Sequence, residues 1–154
     1  MKKLLCILLI VTCFLGLTAC GGAAEVIPDM QQVYDSMKDK LPEMEPFSAD
    51  YVLNSYGIDS ASCKQMVVSS YYDGADTAEI WLIEAADEAA AQELKSLVKT
   101  RLDSMEAQFA SYDQAAYQVV KDAQLITHGN CIALIVAEDV DALTQIYKDA
   151  AQLK

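Results

Sequence analysis

Ala78-Glu79-Ile80-Trp81-Leu82-Ile83-Glu84-Ala85, followed by Asp87, is the stretch whose reading decides the fold. Branched and aromatic residues dominate it, which predicts a strand over Ala78–Ala85. Upstream, Lys64–Tyr72 is rich in Val and Tyr and reads as its partner, with Asp73-Gly74 beginning the turn of a hairpin. Downstream, Asp87 caps a long helix. Leu94, Leu97, Val98, Leu102, Met105 and Phe109 recur in it at three- and four-residue steps, while Lys95, Lys99 and Glu106 lie off that stripe.

The same order returns near the C-terminus. Ala123–Thr127, a turn at His128-Gly129-Asn130 and Cys131–Ala137 form a second hairpin, and Asp139 caps a helix bearing Val140, Leu143, Ile146, Tyr147 and Ala150 on one face. Laying Ile80–Leu94 on Ile132–Ile146 matches Ile80 with Ile132, Leu82 with Leu134, Ile83 with Ile135, Ala85 with Ala137, Asp87 with Asp139 and Ala90 with Ala142. This is the pattern of an internal ββα repeat, although strand-to-helix patterns also converge without duplication. A short helix over Gln114–Lys121 separates the two units. Two hairpins followed by helices predict an α+β fold: an antiparallel sheet of at least four strands, with helices packed mainly on one face.

Before the first hairpin, Met30–Leu41 reads as a helix with Val33, Met37 and Leu41 on one face, ended by Pro42 and Pro46. A second helix over Ala49–Tyr56 stops at Gly57, suited to a left-handed closing residue. The N-terminus has a different character. Met1-Lys2-Lys3, an apolar stretch from Leu4 to Ala19 and a small residue before Cys20 are the parts of a secretory signal. That stretch is 16 residues, short of the roughly 20 that a spanning helix needs. Leu17-Thr18-Ala19-Cys20 has the form of a lipobox, so residues 1–19 are expected to be removed and Cys20 to carry lipid. Acyl chains contribute about 0.8 kcal/mol per buried CH₂, which makes two or more a stable anchor. Residues 20–29 then form a tether. Its nine residues after Cys20 reach about 30 Å at ~3.5 Å each, and residues 30–154 form one globular domain. These features place the protein on the extracytoplasmic face of the cell membrane.

Removal of residues 1–19 leaves 135 residues with 9 basic and 23 acidic side chains, a net charge of −14. Such a polyanion is repelled by nucleic acid and by anionic head groups. Nucleic-acid binding is excluded on that ground, and the domain is expected to stand off the bilayer.

Chemistry-bearing residues are few. Cys63 and Cys131 remain after processing, as a disulfide pair permitted by the compartment or as two small buried hydrophobes. His128 is the single histidine and falls in a hairpin turn, where it reads as a surface residue or as a ligand contact, with no nucleophile or base beside it in sequence. Arg101 is the single arginine and sits near the apolar stripe of the long helix. It reads as one half of an ion pair or as an anion contact in a groove. Asp73, Asp76 and Glu79 make the densest acidic cluster, but the glycine and spacing of a calcium loop are missing, and a solvated turn is the simpler reading. No phosphate loop, metal-ligand pair or nucleophile elbow is present. No catalytic residue, metal or cofactor is expected.

The segments Tyr56-Gly57-Ile58-Asp59, Ala78-Glu79-Ile80-Trp81-Leu82-Ile83, Val98-Lys99-Thr100-Arg101-Leu102, Phe109-Ala110-Ser111-Tyr112 and Gly129-Asn130 together resemble a family of small lipoproteins from clostridia and related Gram-positive bacteria. That family is catalogued only as a domain of unknown function. The resemblance runs from about Leu53 to Tyr147. Cys131 stands where an aromatic is more usual, which argues against an essential disulfide. The family carries no catalytic residues to transfer. The expectation is a membrane-anchored, non-catalytic binding or accessory module with an envelope protein as partner. The alternatives are a small solute-binding subunit of a transporter and a hydrolase acting on the cell wall.

Overall fold

The computed structural model of the chain describes residues 25–73, 76–111 and 113–154. The expected export signal and lipobox, with Cys20, lie outside the described residues, as does the tip of the first hairpin. In chain order the elements are α1 (Met30–Met37), a 3-10 turn (Lys38–Lys40), β1 (Glu45–Pro46), α2 (Ala49–Tyr56), a second 3-10 turn (Ser60–Ser62), β2 (Cys63–Asp73), β3 (Asp76–Ala85), α3 (Glu88–Phe109), α4 (Gln114–Asp122), β4 (Gln124–His128), β5 (Cys131–Val136) and α5 (Val140–Ala150). The strands form one antiparallel sheet in the order β1-β2-β3-β5-β4. The fold is α+β.

β3 and β5 occupy the centre, and their side chains alternate between two layers. Trp81, Ile83, Ile132, Leu134 and Val136 face a core built with Val52 of α2, Leu94, Val98, Met105 and Phe109 of α3, and Ala116 and Val120 of α4. Ile80, Leu82, Ala133 and Ile135 face the other way, onto Met30, Val33 and Met37 of α1 and Leu143 and Tyr147 of α5. The longer helical layer covers one face, as the hairpin pattern predicts, and a second, smaller layer covers the other. Ile80, Trp81, Leu82, Ile83, Leu134 and Ile135 are wholly buried, each worth about 1.5–3 kcal/mol relative to exposure.

The two ββα units share an order but not a placement. Register pairs Ile80 with Ile135 and Ile83 with Ile132, so Ile80 and Ile132, equivalent in the sequence overlay, face opposite layers. The helices that follow diverge in the same way: α3 lies in one layer and α5 in the other. The sequence likeness is one of strand-to-helix pattern alone.

Local signals set the helix ends. Asp29, Ser48, Asp87 and Asp113 each accept a hydrogen bond from a first-turn amide, and Gly57 closes α2 at φ 72°. Asp139 differs from its expected role: its carboxylate makes no cap bond and instead pairs with Lys40 at 3.1 Å on the surface. Replacing Asp87 with Ala should therefore cost about 1 kcal/mol of unfolding free energy. Asp139→Ala should cost less, about 0–0.5 kcal/mol, since only an exposed pair is lost; urea denaturation of the two variants distinguishes them.

Candidate functional site

Glu79 alternates with Trp81 and Ile83 on β3, so its carboxylate enters the layer beneath α3 and needs a counter-charge. Arg101 supplies it from α3, with Nε donating to Oε1 at 2.8 Å and Nη2 donating to Oε2 at 2.6 Å. Trp81 Nε1 donates to the same Oε1 at 2.6 Å. The Glu79 side chain is 3% exposed and that of Arg101 21%. Burial alone would lower the Arg101 pKa, but the Glu79 hydrogen bonds and charge outweigh it and raise the value. The guanidinium lies over the Tyr56 ring, 5.2 Å from its centroid, and Tyr56 meets Trp81 edge-on at 5.0 Å. Burial pushes the Tyr56 phenol well above its usual range, against the opposing pull of Arg101. Phe47 and Tyr51 complete an aromatic group around Tyr56, with Tyr51 exposed at its rim.

Of the two sequence readings of Arg101, the ion pair is the one found. Its partner was the harder half to see, because Glu79 looks like part of an acidic turn with Asp73. Strand alternation with Trp81 is the signal that separates it from that turn.

His128 ends β4 and lies against Tyr147 of α5. Tyr147 Oη is 3.3 Å from Nδ1, and Nε2 is 3.4 Å from the Val26 carbonyl. The tautomer protonated at Nε2 satisfies both contacts: Nε2–H donates to the carbonyl and Nδ1 accepts from the phenol. Tyr147 is wholly buried, and burial pushes its phenol far up. The histidine therefore holds the N-terminal segment against the sheet rather than standing free in a turn.

Gln65 does the same one strand away from β3's centre. Its Oε1 accepts from Met30 N at 3.0 Å, and its Nε2 donates to Pro28 O at 3.3 Å and to Glu84 Oε2 at 2.8 Å. Lys64 Nζ reaches Glu84 Oε1 at 3.1 Å. The Gln65 hydrogen bond, opposed by burial and aided by Lys64, holds the Glu84 carboxyl below the usual carboxylate range. The Glu25 carboxylate packs over Gly129, where any Cβ would collide with it. Residues 25–29, within the stretch expected as tether, are thus strapped across the sheet. Nothing in the sequence pattern marks Gln65 for this part.

Cys63 and Cys131 are free. They sit on β2 and β5 with β3 between them, and they pack into opposite layers. Two strand spacings, about 9.5 Å, exceed the reach of a disulfide, so the pairing reading gives way to two free thiols, Cys63 half-buried and Cys131 buried. Burial, with Asp59 beside Cys63 and with Glu84 and Glu25 beside Cys131, pushes both thiols up to about 11. Neither is a ready nucleophile at neutral pH, and His128 spends both ring nitrogens elsewhere. No group of three His, Cys, Asp or Glu residues is placed to hold a metal among the described residues. A polar groove of about 570 Å³ opens between α4 and α5, lined by Lys121, Asp122, Gln124, Glu138 and Asp141 among others.

The architecture is thus an α+β domain whose charged centre is a structural ion pair and whose N-terminus is tied to its sheet. Residues 36–137, about two thirds of the chain, match the family catalogued as DUF4358, a domain of unknown function, and the chain belongs to that family. The matched span holds all five strands and the Glu79–Arg101 pair; the strap and Tyr147 lie outside it. No curated protein and no solved structure matches the chain.

Arg101→Met strands a buried carboxylate and should cost about 3 kcal/mol or more. Adding Glu79→Gln, which keeps an acceptor for Trp81, should restore most of that loss in a double-mutant cycle read by denaturant unfolding. Glu84 gives a pH signature of opposite sense to a buried base. Because its folded pKa is depressed, its stabilisation is complete above the unfolded value of about 4.3 and disappears as pH falls through the lower folded value. The melting-temperature gap between the native chain and Glu84→Gln should be present near neutrality and close as pH falls below the ordinary carboxylate range.

Proposed function

We propose that this chain is a lipid-anchored extracytoplasmic protein whose domain is a non-catalytic binding or accessory module at the cell envelope. The observation that carries the reading is Leu17-Thr18-Ala19-Cys20 at the end of a basic-then-apolar N-terminus. Support for a non-catalytic role comes from the engagement of the reactive side chains. Arg101 is held by Glu79, His128 by Tyr147 and Val26, and the two thiols have raised pKa values.

The strap shortens the expected reach. With residues 25–29 on the sheet, only Gly21–Ala24 separate the domain from a lipid on Cys20, about 14 Å at ~3.5 Å per residue. A partner is therefore an envelope protein at or in the membrane rather than one deep in the wall. Among the described residues no helix is long and apolar enough to cross a membrane.

Replacing Cys20 with Ser should leave the signal attached or the protein unlipidated. Fractionation and mass spectrometry of the N-terminal peptide should show diacylglycerol on the native chain only. A native chain without lipid at Cys20 overturns the anchoring. Affinity capture of the full chain from detergent-solubilised membranes should recover a stoichiometric envelope protein, and peptidoglycan turnover by the purified chain would replace the binding role with a hydrolytic one.

A further inference from the structure

The two edges of the sheet are built differently. β1 is two residues long and contains Pro46, which has no N–H to offer, so that edge is blunted. β4 is Gln124-Leu125-Ile126-Thr127-His128, with no Pro, no charge and a regular register against β5. α4 packs over β3 and β5, and α5 over β5, so the helices cover the centre of the sheet.

The register fixes which backbone groups β4 leaves open. Ala85 N donates to Asn130 O, so residues 130, 132 and 134 turn their hydrogen-bonding groups toward β3, and Cys131, Ala133 and Ile135 turn theirs toward β4. Their partners are His128, Ile126 and Gln124. Leu125 and Thr127 therefore point their N–H and C=O groups outward. Neither makes a backbone bond beyond the β4–β5 ladder among the described residues.

Two such residues spaced by one are self-complementary. In an antiparallel pairing of β4 with β4 of a second copy, centred on Ile126, Leu125 of each chain meets Thr127 of the other, and all eight outward groups close four hydrogen bonds. Ile126 then faces Ile126 across a two-fold axis. The geometry points to β4 as the seam of a two-fold dimer that joins the two sheets into one of ten strands. Charge favours this strip: in a chain of net charge −12 the seam is uncharged, so no like charges are placed directly opposite one another. A five-residue seam buries less than the roughly 1,000 Å² of a stable free-standing interface. The dimer is therefore weak and rapidly exchanging, and its detection calls for trapping.

The test is cysteine cross-linking of the full chain in intact cells, which does not depend on whether the chain is lipidated. Ile126→Cys places two thiols on a non-hydrogen-bonded pair with Cα atoms about 4.5 Å apart, within disulfide range. Leu125→Cys is displaced by two residues from its own copy, about 8 Å, beyond that range. Mild oxidation should give about tenfold more covalent dimer from Ile126→Cys than from Leu125→Cys or from exposed Ser96→Cys on α3. Adding Thr127→Pro, which removes one outward N–H, should abolish the Ile126→Cys dimer while circular dichroism reports an unchanged fold. Equal cross-linking at 125 and 126, an Ile126→Cys yield no higher than Ser96→Cys, or an adduct with a different protein in place of the dimer each overturns the proposal. The register comparison decides the matter even if the proline variant does not fold.

Discussion

Strands β3 and β5 carry apolar side chains on both of their faces, and this constraint organises everything around them. A strand of that kind loses the benefit of half its apolar surface unless both faces are covered. α2, α3 and α4 cover one side, and α1 with α5 covers the other. The N-terminal helix is thereby a structural layer. Without Met30, Val33 and Met37 the face bearing Ile80 and Leu82 would open to water, which is the physical reason that the chain just before α1 is also fastened down.

Within that sandwich, two carboxylates on one strand are turned to opposite layers. Glu79 goes beneath α3 to Arg101, and Glu84 goes toward the strap, to Gln65 and Lys64. A slip of one residue along β3 would exchange them and leave both without a partner. The apolar residues of the centre are similar enough to tolerate several registers, whereas these two polar sites are not. Their contribution is to uniqueness as much as to stability. The same arrangement consumes the chain's sole arginine, the side chain best suited to grip an anionic ligand.

Most of the fold was legible in the sequence because most of it is specified locally. The hairpins, the long helix, the Asp87 cap and the left-handed Gly57 each follow from residues a few positions apart. What was not legible depends on distant pairing. The continuous runs Ile80–Ile83 and Ile132–Val136 do signal burial on both faces, but sequence does not say which helices cover which side. β1 is only Glu45–Pro46, too short to show a period and half of it proline. His128 resembled a surface turn residue because Val26, its partner, is 102 positions away. Arg101 was visible as a charged residue beside an apolar stripe; that Glu79 belonged to the core and not to the neighbouring acidic turn depended on strand phase. Asp139 kept the sequence form of a cap while its carboxylate went to Lys40.

The strap has a consequence in time as well as in space. A chain is synthesised N-terminus first, so residues 25–29 are made long before the groups that receive them. Gln65 follows by about forty residues and His128 by about a hundred, and the contact over Gly129 exists only once the last hairpin has closed. Ordering contacts of that separation carries a large loop-closure cost, shared with the packing of α1 on α5. The segment made earliest is thus among the last to be seated. Until β5 joins β3, residues 25–29 belong to a chain still free to move, and completion of the sheet is the event that seats them.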